Sequence, residues 1–235
     1  MTKKQGQKIF EKYNPAEAVT RCPKGRTSVR KTLDLYAKAA VNLYGLIPKA
    51  ELAEIFNSQN SEQTDPDELF ILLLPLVLKK KRWYCFYKDC IVHYGAMENF
   101  DYADYLLFRQ GDKPRFIPER EEFFKFKDPF YESAAQELSW CKLREFIDKE
   151  WPDNLEKRNF LGELKDCSEA NVGLKAIGEL FSKYGLIFDA PEQVIMFFDL
   201  FRDAGNHTRT WLNKGHSSAE LYEIQRSQHS KQVPQ

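Results

Sequence analysis

The 235-residue chain is 43% hydrophobic and 30% charged, and its 35 Lys and Arg are balanced by 35 Asp and Glu. Such a composition suits one large globular domain or two small ones, and net neutrality removes any global pull toward nucleic acid or a membrane surface. The longest apolar run, residues 69–78 with Pro75 inside it, is too short to span a bilayer.

Cysteines at 22, 85, 90, 141 and 167 form no CxxC pair, which points to reduced thiols in a cytoplasmic setting rather than a disulfide framework. No apolar stretch follows Met1-Thr2-Lys3-Lys4, so no secretory signal is expected. Charge is uneven along the chain. Residues 1–38 hold ten Lys and Arg against Glu11, Glu17 and Asp34, a balance of +7, whereas residues 89–169 hold nineteen acids against twelve bases, a balance of −7.

Helix-start signals recur. Asn14-Pro15-Ala16-Glu17 and Asp65-Pro66-Asp67-Glu68 each combine a capping side chain, a proline at the first helical position and a reciprocal acid. Asp189-Ala190-Pro191-Glu192 and Ser217-Ser218-Ala219-Glu220 keep the same four-residue spacing. Helices are expected near 15–19, 28–44, 48–58, 66–81, 98–110, 118–126, 129–149, 153–166, 169–184, 191–204 and 217–226. The second of these gathers Leu33, Tyr36, Ala37, Ala40, Val41 and Tyr44 on one face, with Gly45 as its stop. Pro48 opens the next helix. The run at 69–78 is apolar nearly all round and should be kinked by Pro75.

Residues 83–87 and 90–94 are short aromatic and β-branched runs joined by Lys88-Asp89, which reads as a hairpin. Pairing Tyr87 with Cys90 puts Trp83, Cys85, Tyr87, Cys90, Val92 and Tyr94 on one face. Tyr84, Phe86, Ile91 and His93 then share the other, expected to pack on the helices. His93 is thus separated from both thiols, so no metal is expected there. Three helices followed by a hairpin is the order of a winged-helix module. The expected fold is α+β, predominantly α: a winged-helix-like module with a basic arm over 1–96, a helical array over 97–226, and a frayed polar tail over 227–235.

No Gly-rich phosphate loop, GxSxG, HExxH or EF-hand loop is present, and no cofactor is expected. Three features remain. The third helix would read a DNA major groove with its N-terminal side chains, but those are Asp65, Asp67 and Glu68, which repel phosphates. The segment carrying Arg21, Lys24, Arg26, Arg30 and Lys31 is a better electrostatic site. It suits phosphates (bound non-specifically and with steep salt dependence, helped by Lys79-Lys80-Lys81-Arg82), an acidic protein, or the acidic middle of the same chain. The third feature is the polar stretch containing Asn206, His207, Arg209, Trp211, Asn213 and His216. It reads either as a corner anchored by Trp211, with Asn206 and Asn213 holding the turn, or as a catalytic or anion-binding site built on His207, Arg209 and His216.

The pieces Ala40-Val41-Asn42-Leu43-Tyr44-Gly45-Leu46-Ile47, Trp83-Tyr84-Cys85-Phe86-Tyr87-Lys88-Asp89 with Ile91-Val92-His93-Tyr94, and residues 206–216 followed by Glu220-Leu221 resemble a group of uncharacterised bacterial proteins, mainly from Firmicutes. Some members of that group end in a SEC-C zinc-binding tail. No cysteine follows Cys167, so the tail's zinc site does not carry over. The resemblance implies a bacterial, cytoplasmic, SEC-C-associated protein and adds no catalytic residue. Together the readings favour a non-enzymatic module that binds an unidentified protein partner, with nucleic acid as the alternative and no membrane.

Overall fold

The computed structural model describes residue 23 and residues 25–78, 83–97, 100–152, 156–169 and 174–232. The expected helix at 15–19 lies outside these residues. The fold is predominantly helical with one small antiparallel sheet, and the chain divides into two units, residues 1–131 and 132–235.

In the first unit α1 (Thr27–Tyr44) is the centre of the core. Val29, Leu33, Tyr36, Ala37, Ala40, Val41 and Tyr44 are all fully buried, so the apolar face read from the sequence is the one that packs. Gly45 ends the helix at φ 73°, a left-handed conformation that suits glycine, and its N–H bonds to the Val41 carbonyl at 2.8 Å. The chain then forms a short strand, β1 (Leu46–Pro48), rather than passing directly into a helix. Pro48 closes β1, and α2 (Lys49–Gln59) begins one residue later.

Helix α3 (Pro66–Val77) starts as expected. The Asp65 carboxylate accepts from the N–H groups of Asp67 and Glu68 at 2.9 and 2.8 Å, with Pro66 at the first helical position. Pro75 lies in its last turn, and the helix stops at Val77, short of the expected residue 81. Proline there blocks a ladder bond and crowds the preceding turn.

Strands β2 (Tyr84–Tyr87) and β3 (Cys90–His93) pair with Tyr87 opposite Cys90 and Cys85 opposite Val92, the register expected. Only Lys88 takes a positive φ in the two-residue turn, at 51°, whereas a type I′ turn needs two such residues. Strand β1 pairs on the other side of β3, giving the order β1-β3-β2. Tyr84 and Ile91 enter the core with Phe86 packed against it, and Cys90 and Val92 are buried on the opposite face, so the central strand is covered on both sides.

Helices α4 (Tyr94–Met97), α5 (Phe100–Gln110) and α6 (Arg120–Lys125) complete this unit. Here the structure departs from the boundary expected after residue 96. Gln110 Nε2 donates to the Tyr44 carbonyl at 2.8 Å, and the Tyr44 hydroxyl donates to the Phe116 carbonyl at 2.6 Å. Gln59 Nε2 donates to the Pro118 carbonyl at 2.9 Å, and Phe123 is fully buried in the same core. Residues 100–131 are therefore the outer wrap of the first unit, held by backbone carbonyls that periodicity does not reveal.

The second unit holds α7 (Ala134–Glu150), α8 (Lys157–Glu169), α9 (Leu174–Lys183), α10 (Pro191–His207), a 3-10 turn (Trp211–Asn213) and α11 (Ser218–Gln232). Its core is aromatic. Phe197 lies 4.8 Å from Phe181 and near Phe160 and Phe201, while Trp140, Leu143 and Ile147 line the facing side of α7. α10 begins at Pro191 as expected, and its reciprocal side chain is Gln193, which accepts from the N–H groups of Asp189 and Ala190. α11 runs to Gln232, past the expected end at residue 226 and into the stretch expected as a frayed tail.

Candidate functional site

Of the basic segment, Arg21 and Lys24 lie outside the described residues, as do residues 79–82. The partly exposed Arg26 guanidinium is already paired within the chain. Its Nε and Nη2 grip the Glu68 carboxylate at 2.7 and 2.8 Å, and Nη2 also donates to the Gln63 carbonyl at 2.6 Å. Thr64 Oγ1 donates to the same carboxylate at 2.9 Å. The hydrogen bond from Arg26 is the chief reason the Glu68 carboxyl sits below its ordinary range. Of the three destinations expected for this cation, its own chain wins, yet the acid comes from the start of α3 and not from the acidic middle. Arg30 is half-buried and Lys31 exposed on α1.

In the hairpin, burial pushes both the Cys85 and the Cys90 thiol up to about 11, so neither is a thiolate nucleophile at neutral pH. His93 stands opposite Tyr84, on the other face from both thiols. Its Nδ1 accepts from the Gly95 N–H at 3.1 Å, and burial holds its pKa below the ordinary value. Among the described residues, no three His, Cys, Asp or Glu side chains are grouped to hold a metal ion.

The C-terminal corner closes on itself. Arg209 Nη1 and Nη2 each donate to the Glu220 carboxylate at 2.8 Å, and Nη1 also donates to the Gly215 carbonyl at 2.8 Å. Glu220 accepts from the Ser217 N–H at 3.0 Å, while the Glu220 N–H donates to Ser217 Oγ at 3.2 Å; this is the reciprocal cap expected at the start of α11. His216 is buried with Nδ1 3.5 Å from the same carboxylate. Burial pushes the Glu220 carboxyl up. The neighbouring His216, the hydrogen bond from the Ser217 N–H and the Arg209 guanidinium more than offset that and hold it at about 2.

The turn itself is satisfied by backbone. Thr210 N–H donates to the His216 carbonyl, and Gly215 N–H to the Thr210 carbonyl. Lys214 and Gly215 take φ of 49° and 81° and reverse the chain, so Arg209 bridges to Ser217. Asn206 is exposed on the last turn of α10 and takes no part in this closure. Asn213 is half-buried at the end of the 3-10 turn, and its N–H donates to the Thr210 carbonyl. The buried indole is that of Trp140, not of the expected Trp211. Trp140 Nε1 donates to Thr208 Oγ1 at 3.0 Å, and Thr208 Oγ1 donates to the Ala204 carbonyl at 2.8 Å. Trp211 is half-buried in the 3-10 turn.

His207 has a separate set of neighbours, Ser139 and Asp203, that the sequence did not single out. The combination Ser, His and Asp invites a triad reading, but the geometry opposes it. His207 Nδ1 lies 2.9 Å from the Asp203 carbonyl, which can only accept, so Nδ1 carries the proton. The same nitrogen lies 3.2 Å from Ser139 Oγ and 3.5 Å from Asp203 Oδ1. A general base must offer the serine an unprotonated nitrogen while the acid holds the other one. Here a single protonated nitrogen faces both.

The outward side of α3 remains. A shallow depression at its start is bounded by Pro23, Asp65, Pro66, Asp67, Glu68 and Ile71. Phe70 is half-buried against Phe86, edge-on at 4.8 Å. No family model, no curated protein and no solved structure matches the chain. Among the described residues, no helix is long and apolar enough to cross a membrane.

Proposed function

We propose that the chain is a non-enzymatic interaction module that binds another macromolecule, a protein rather than DNA. The observation that carries this reading is the outward side of α3. The order of helix, short strand, two helices and hairpin over residues 27–93 supports reading this part as winged-helix-like, and in such a module the third helix would enter the major groove. In α3 that helix opens on Asp65, Asp67 and Glu68, continues through Phe70 and Ile71, and contains no Arg, Asn or Gln to read base edges. With Glu68 held by Arg26, the exposed Asp65 and Asp67 beside Ile71 suit a peptide better than a phosphate backbone.

The enzymatic alternative at the corner loses support because Arg209 and His216 are engaged with Glu220, while His207 belongs to a different cluster. Non-specific nucleic-acid binding through residues 21–31 and 79–82 is the second reading, and Lys31 on exposed α1 surface favours it. A cytoplasmic, SEC-C-associated setting belongs to this reading through the sequence resemblance alone. Titration of the full chain with labelled duplex DNA across a salt series separates the two. The expected result is no binding even at low ionic strength. Binding that is strong at low salt, weakens steeply as salt rises and shows little sequence preference would overturn the proposal in favour of the second reading.

A further inference from the structure

We draw no further inference here: the strongest candidate, the outward aromatic face of α5 carrying Tyr105 and the 82% exposed Phe108, carries nothing because nothing in the structure shows what covers it.

Discussion

Individual side chains in the C-terminal corner separate a structural turn from a reactive site. Glu220 accepts from Arg209 and the Ser217 N–H at once, with His216 Nδ1 3.5 Å away, and its carboxyl is held at about 2. A carboxyl depressed in the folded state stabilises fully above its unfolded value, about 4.5, and that contribution is lost as pH falls toward 2. The Glu220→Gln variant is therefore expected to be less stable than the parent at neutral pH. The difference should shrink as pH falls from about 4.5 to 2, as followed by thermal melts across that range. Gly215 at φ 81° is a second test. A side chain there is strained by about 1–2 kcal/mol, so Gly215→Ala should lower the melting temperature while leaving helix content intact by circular dichroism. The cap between Ser217 and Glu220 was legible from its spacing. The grip of Arg209 on that same acid was not, because it depends on Lys214 and Gly215 bringing residue 209 back beside 217.

At the scale of elements, the parts that could be read were those whose signal is local. The inward face of α1, the cap of α3 and the hairpin register each follow from spacing within one segment. Strand β1 could not be read, because three residues carry no alternation and Leu46–Pro48 is a strand only through its pairing with β3. The hairpin supplies a measurable consequence. Complete burial of Phe86 would make Phe86→Ala cost about 3–5 kcal/mol, but the ring is only half-buried against Phe70 and the core. A loss of about 2 kcal/mol is expected in denaturant unfolding, with an unchanged slope. A loss below about 0.5 kcal/mol would mean that the ring does not pack where the register places it.

For the whole molecule, the first unit reaches to residue 131 because Tyr44, Gln59 and Asn42 bond to backbone of the 116–126 stretch. Such long-range ties are invisible to composition, and the same holds for the capture of Arg26 by Glu68. That pairing removes one cation from the basic segment and one carboxylate from α3, and leaves Asp65 and Asp67 exposed beside Ile71. On the proposed reading this surface takes a protein, which is checked by affinity capture from a nuclease-treated cytosol with the intact chain and with an Ile71→Glu variant of matching melting temperature. A defined protein retained by the intact chain and lost by the variant is expected. Equal retention of the same proteins by both chains, or no protein retained by the intact chain, would overturn that reading.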